Sequence, residues 1–168
     1  KHAQIMGLAD YPVWTRKPLT DLSYLSCARK LIDGGDAFYP QFATHNAHSI
    51  AAVAHMAGDA PHEFQRLHGM GDLLYRAASD SLGRPLRLRV YAPVGAHRDL
   101  LPYLVRRLLE NGANSSFVNR FMDRAVPVVE MARDPYETAG GKAAARNALI
   151  PLPRDIYGPW RPNAKGWN

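Results

Sequence analysis

The chain has 168 residues, 46% of them hydrophobic, which suits one ordinary domain with a real core and excludes a disordered or collagen-like polypeptide. Twenty-one Lys and Arg against fifteen Asp and Glu give a net charge of +6, but the arginines are scattered among apolar and acidic residues, so the charge is no argument for nucleic-acid binding. No apolar run approaches the roughly 18 residues of a membrane span, and the lone Cys27, with no disulfide or metal-cage partner, suits a reducing compartment.

The N-terminal Lys1-His-Ala-Gln-Ile-Met6 holds neither the apolar centre of a signal peptide nor an initiator Met, which marks it as a cut end. Four segments then have the composition of short buried strands: residues 11–15, 38–44, 62–67 and 86–91. They start about 24 to 27 residues apart, and a helical pattern follows each. Residues 20–32 place Leu22, Leu25, Ala28 and Leu31 on one stripe, with Thr20 or Asp21 as N-cap and Gly34-Gly35 as the stop. Cys27 lies on that helix and reads as a core residue rather than a nucleophile. Residues 46–57 turn Ile50, Val53, Ala54 and Ala57 inward and stop at Gly58, and residues 70–82 stop at Gly83 and Pro85. The clearest pattern is 97–111, where Leu100, Leu101, Leu104, Val105, Leu108 and Leu109 form an apolar face ended by Gly112.

Strand and helix alternating at this period are the grammar of parallel α/β structure, in a doubly wound sheet or a (β/α)8 barrel. The regular spacing, and the gathering of polar residues where strands end, favour a TIM-type barrel of which this chain holds about four C-terminal βα units. Residues 115–118 read as a loop. Beyond Asn119 the grammar changes: 121–132 and 135–149 read as trailing helices, and the tail from Pro151, rich in proline, reads as a linker or extended arm.

Tyr103, Arg106, Arg107 and Glu110 fall at i, i+3, i+4 and i+7 of the 97–111 helix, so they share a stripe. Two arginines beside a tyrosine can grip a carboxylate through charge-assisted hydrogen bonds, but spacing alone favours a solvated helix face, as most charged stripes are. Tyr91 ends its strand before Ala-Pro-Val-Gly95. Thr44-His-Asn46 and Leu67-His-Gly-Met-Gly71 also stand at strand ends, although Thr44 and Asn46 are natural N-caps for the following helix. Thr15-Arg-Lys17 offers either a phosphate contact or a solvated basic loop. His45, His48, His55 and His62 invite a metal, but no carboxylate or cysteine completes a set, and no site is assigned to one. Glycine-rich phosphate cradles, nucleophile elbows and Walker patterns are missing from the sequence.

Residues 39–48 (Tyr-Pro-Gln-Phe-Ala-Thr-His-Asn-Ala-His), 64–71 (Phe-Gln-Arg-Leu-His-Gly-Met-Gly), 91–97 (Tyr-Ala-Pro-Val-Gly-Ala-His) and 103–120, which opens Tyr-Leu-Val-Arg-Arg-Leu-Leu-Glu-Asn-Gly, closely resemble one family. This is the proline dehydrogenase domain of bacterial proline utilization A, a bifunctional proline dehydrogenase and L-glutamate γ-semialdehyde dehydrogenase. The resemblance covers residues 11–120, and Ile150-Pro-Leu-Pro-Arg-Asp-Ile-Tyr-Gly158 looks like the family's connection to its aldehyde dehydrogenase module. It implies a distorted (β/α)8 barrel that holds FAD, oxidises L-proline to Δ1-pyrroline-5-carboxylate by hydride transfer to the flavin, and hands electrons to a membrane quinone. Carried over, Arg106 and Arg107 would grip the proline carboxylate, while Tyr91, Tyr103 and Leu67 enclose the ring. Thr44, His45 and Asn46 would lie on the adenine side of FAD. Arg107, Glu110, Ser116 and Phe117 would line other parts of it, with Thr15 and Lys17 as further cofactor contacts. No general base is nominated, and no residue is assigned a catalytic proton transfer.

The resemblance further implies that residues 1–120 are the C-terminal half of the barrel, 121–149 trailing helices and 150–168 a linker toward an absent aldehyde dehydrogenase domain. Four upstream βα units, with a lysine and an aspartate of the substrate pocket, would precede Lys1, leaving this piece inactive alone. Arg66 and Ala96 are local departures from the motifs and leave the clamp residues untouched. The resemblance implies a cytoplasmic enzyme, open to peripheral association at the inner membrane, that would meet nucleic acid only through segments outside this chain. The competing readings are a barrel enzyme for a phosphorylated metabolite and a non-catalytic (β/α)4 fragment that pairs with another chain.

Overall fold

A computed structural model of the chain describes residues 2–113, 117–139 and 146–158. Residues Lys1–Leu22 and Asp134–Asn168 form one compact unit and Ser23–Arg133 another.

In the second unit three short strands, β1 (Gln41–Ala43), β2 (Glu63–Leu67) and β3 (Leu88–Tyr91), pair in parallel in the order β1-β2-β3. Each leads into a helix: α3 (Ala47–Ala57), α4 (Asp72–Leu82) and α5 (His97–Gly112). Helix α2 (Lys17–Asp33) precedes β1. Strand side chains alternate between faces, so the register puts Phe42, Phe64 and Leu88 on one side of the sheet. The two phenylalanines meet Ala28 of α2, Ile50, Val53 and Ala54 of α3 and Tyr75 of α4 in a single buried cluster, and Leu88 packs against it. Each large aliphatic or aromatic side chain buried there contributes about 1.5–3 kcal/mol.

The other face carries Gln41, Glu63, Gln65 and Arg89, with Leu67 and Tyr91 at its carboxyl end. Glu63 is buried and takes two bonds from Arg89, at 2.6 and 2.8 Å, and one of 3.0 Å from Gln65 Nε2. Hydrogen bonds from Arg89 and then Gln65 hold its carboxyl at about 2, well below the usual 4.5. The pair therefore stays ionised among the polar side chains of this face.

Helix ends follow the sequence closely. Asn46 caps α3 by accepting from His48 N–H at 3.0 Å, and Gly58 ends it. Gly83 ends α4 in the left-handed conformation that glycine adopts without penalty. Strand β3 starts two residues later than the composition suggests, and β1 is only three residues long.

Several expectations are corrected. Residues 11–15 form bends rather than a strand, so the described residues hold three strand–helix units, not four. Helix α2 starts at Lys17, three residues ahead of Thr20, because Pro18 is tolerated in a first turn where its missing N–H costs nothing; the Thr20 hydroxyl then bonds back to Arg16 C=O instead of capping. Cys27 is exposed, on the outer side of that helix. The segment 121–132 is broken into α6 (Phe117–Met122) and α7 (Val128–Met131), since Pro127 imposes an extended start before α7. Phe117 and Val118 thus open a helix rather than a loop, while 114–116 lie outside the described residues.

In the first unit α1 (His2–Ile5) packs against a 3-10 turn at Pro153–Asp155, and α8 (Pro135–Ala139) buries Pro135 and Ala139. The expected helix over 135–149 is realised over Pro135–Ala139; residues 140–145 lie outside the described residues, and 147–150 form a turn closed by Ile150 N–H to Asn147 C=O. No helix among the described residues is long and apolar enough to cross a membrane.

Candidate functional site

Three loops leave the carboxyl ends of the parallel strands, and the backbone ties them together. Thr44 N–H donates to Gln65 C=O at 3.4 Å, and His68 N–H donates to Tyr91 C=O at 2.8 Å. The Tyr75 hydroxyl reaches back from α4 and donates to Thr44 C=O at 2.8 Å and Gln65 C=O at 3.3 Å. Burial raises the pKa of that phenol, so it stays a donor. The loop after β2 is fixed by Arg66, whose guanidinium donates to Met70 C=O at 3.0 Å and to Asp72 at 2.9 Å. Gly71, at φ +74, lies so close to His45 that a Cβ there would stand 2.8 Å from the ring Cδ2. Glycine is required on both counts, conformation and room.

His45 is brought against the far end of α5. Its Nδ1 lies 3.2 Å from Asn111 Oδ1, and Asn111 Nδ2 donates to Arg107 C=O at 2.8 Å and contacts Met70 Sδ at 3.3 Å. One side chain thus joins the loops after β1 and β2 to the last turn of α5. Burial, the main cause, lowers the His45 pKa against the opposing pull of its Asn111 bond, so the ring is neutral near pH 7.

Along α5 the four-residue stripe divides. Arg107 is half-buried, with its guanidinium 5.4 Å from the centre of the Tyr103 ring and 3.4 Å from the Glu110 carboxylate. Arg106, about 100° further round the helix, is exposed. The Tyr91 phenol lies beside this file: burial raises its pKa, followed by a hydrogen bond with Tyr103. Leu67, the register partner of Tyr91, is buried at the end of β2. Tyr91, Tyr103, Arg107 and Glu110 are therefore one group.

Thr44 and Asn46 make their main bonds locally. Thr44 Oγ1 accepts from Asn46 N–H at 3.1 Å, and Asn46 Oδ1 caps α3, which leaves the Thr44 hydroxyl proton and the Asn46 amide N–H groups to address a ligand. Phe117 is half-buried on α6 and stacks on Phe121 with centroids 5.9 Å apart. Ser116 lies outside the described residues. In the other compact unit, Thr15 Oγ1 accepts from Asn147 N–H at 2.9 Å and Lys17 is ion-paired with Asp21.

Three buried nitrogens, His45 Nε2, Arg66 Nε and Arg107 Nε, have no hydrogen-bond partner among the described residues. Buried polar atoms are seldom left so, and two of the three belong to residues singled out from the sequence. A cationic side chain, an imidazole acceptor, aromatic faces and backbone held in tight loops fit a polyanionic, heteroaromatic cofactor such as FAD together with a small carboxylate. No group of three or more His, Cys, Asp or Glu among the described residues is placed to hold a metal ion.

The participation of Asn111, Met70 and Gly71 is not evident from residue type. The signals are that Asn111 sits four residues after Arg107, where its side chain can reach back to that carbonyl, and that Met70 is flanked by Gly69 and Gly71.

A parallel α/β layer with polar groups collected at the carboxyl edge of its strands defines an α/β protein of the kind in which active sites sit at strand ends. Comparison with known proteins then narrows the class: residues 1–120 match the family described as Proline dehydrogenase, and the chain belongs to that family. The Bifunctional protein PutA of Salmonella typhimurium is 52% identical over 181 residues, and that of Escherichia coli is 50% identical over the same length. Each alignment takes in 99% of this chain and 14% of the relative, so the chain spans about one seventh of the length of the curated proteins it matches. A crystal structure of a mutant Bradyrhizobium japonicum Proline Utilization A (PutA) superposes with a TM-score of 0.83 at 51% identity, covering 98% of this chain and 17% of that one.

Proposed function

We propose that this chain is the C-terminal part of a proline dehydrogenase (β/α)8 barrel, within a longer bifunctional polypeptide, that oxidises L-proline to Δ1-pyrroline-5-carboxylate. The observation that carries the reading is the group formed by Arg107, Tyr103 and Glu110 on α5 with Tyr91 at the end of β3. Family membership and the parallel strands support the barrel; the upstream strands would complete it. On this reading residues 1–120 belong to the barrel, 121–149 trail it, and 150–168 lead toward an aldehyde dehydrogenase module.

Arg107 neutralises the proline carboxylate and orients it, while Tyr91, Tyr103 and buried Leu67 bound the ring, so that a zwitterionic substrate can leave water without an unpaired charge. Arg106 reaches the carboxylate as the second cation once the upstream half covers it. Glu110 holds the Arg107 guanidinium through an ion pair of 3.4 Å. When bound, FAD would supply the hydride acceptor, with a membrane quinone as the onward electron acceptor. Thr44, His45 and Asn46 hold the adenine end, and Arg107, Glu110 and Phe117 line other parts of the cofactor. The enzyme is cytoplasmic and meets the inner membrane peripherally, through the quinone.

The test is reconstitution. After mixing with FAD and desalting, this chain is colourless; with the upstream half of the barrel supplied, the desalted protein retains flavin absorbance and shows proline-dependent dye reduction. A complex that binds flavin but ignores proline, or one that never takes up flavin, contradicts the proposal and favours the non-catalytic fragment.

A further inference from the structure

The Asn111 amide has its orientation fixed by the bond from Nδ2 to Arg107 C=O at 2.8 Å. The atom facing His45 Nδ1 at 3.2 Å is therefore the carbonyl oxygen, which can only accept. Nδ1 must donate and carry the proton. In a neutral imidazole the other nitrogen then bears a lone pair, and that nitrogen, Nε2, is buried with no partner among the described residues. The ring cannot turn over to relieve this. Gly71 packs against its Cδ2 edge, and the flip would set a carbon against Asn111 Oδ1. Burial keeps the ring uncharged, and the charged groups that act on it, Glu110 and Arg66, pull in opposite directions.

We propose that Asn111 is a positioning residue that locks His45 in its Nδ1-protonated form, so that the buried Nε2 lone pair accepts a hydrogen bond from an amino or hydroxyl group of the bound cofactor. The inference rests on the FAD reading above and adds a polarity to it: at this point of the site the protein accepts and the ligand donates. The same amide grips the carbonyl of Arg107, so the last turn of α5 is set by the residue that orients the histidine. A cofactor group that can only accept, such as a phosphate oxygen, is excluded from Nε2.

The test uses the full-length polypeptide that carries this chain, with FAD as the probe. Asn111→Ala weakens FAD affinity about tenfold, the order expected for one oriented hydrogen bond in a dry site. In a His45→Ala background the same substitution changes affinity less than twofold, because the histidine it serves is gone. An unchanged affinity, or an equal fall in both backgrounds, overturns the assignment; the second result would make Asn111 a brace of the fold alone. Should Asn111→Ala fail to fold, the nitrogen NMR spectrum of the wild-type protein labelled at histidine decides. A proton on Nδ1 of His45 is expected, and a proton on Nε2 overturns the proposal. The two readings fail differently: wild-type protein that takes up no FAD refutes the functional reading and this inference with it, whereas normal uptake that is indifferent to Asn111 refutes this inference alone.

Discussion

Helices α3 and α5 carry the same kind of sequence signal, an apolar stripe at helical spacing, and the molecule treats them in opposite ways. Helix α3 buries Ser49, Ile50, Val53, Ala54 and Ala57 against the sheet and its neighbours. Helix α5 buries no residue, and Leu101, Leu108 and Leu109 stand 52%, 59% and 67% exposed. The stripe on α3 meets side chains that this chain itself provides. That on α5 is a surface which the described residues leave open, of a kind that marks an interaction face. The helix without a buried residue is also the one that bears Tyr103, Arg107, Glu110 and Asn111. In this chain the packed region sets the strand ends in place, and the open helix carries the residues proposed to face the substrate.

Four substitutions test that contrast, the largest effect first. Ile50→Ala lowers the unfolding free energy by about 2–5 kcal/mol in chemical denaturation, and a loss under about 1 kcal/mol would break the contrast at its packed end. Gly71→Ala costs roughly 1–3 kcal/mol, because an L side chain at φ +74 is strained and its Cβ collides with His45; thermal unfolding reads it, and a neutral result would mean the β2–α4 loop is not pinned. Glu63→Gln acts through pH. The wild-type carboxyl is held at about 2 against 4.5, so its contribution is complete above 4.5 and fades as pH falls through about 2. The variant should flatten the stability profile across that window, and two parallel profiles would remove the Arg89 bonds as the cause. Leu108→Ala changes the stability of this chain by no more than about 0.5 kcal/mol, and a larger loss would show that the α5 stripe is covered after all.

Local rules in the sequence carry far through this structure. The Asn46 cap, the Gly58 and Gly83 stops and the start of α5 at His97 follow from residue type and spacing alone, although Gly112, the expected stop of α5, is its last helical residue. What spacing cannot carry is partnership. The Leu-rich face of α5 predicts a helix with a buried side and says nothing of what buries it. Residues 11–15 have the composition of a strand, yet a strand exists only where another one pairs with it, and the described sheet begins at β1. Proline explains the two displaced helix boundaries, once as a tolerated first turn at Pro18 and once as the break at Pro127. At the site, motif resemblance picks out Tyr91, Tyr103, Arg107 and His45, whereas Asn111 becomes visible only through a contact with a residue sixty-six positions away. Spacing also treats Arg106 and Arg107 as equivalent neighbours, and only the helix geometry separates the half-buried arginine from the exposed one.

The central claim is that Arg107 faces a substrate carboxylate. Its most direct measurement is steady-state proline oxidation by the FAD-saturated full-length polypeptide carrying Arg107→Met, a change that keeps the aliphatic stem and removes the charge. Loss of a charge-assisted hydrogen bond to the carboxylate raises the proline KM about tenfold or more while flavin content is retained. A KM equal to that of the wild type, with flavin in place, would contradict the account.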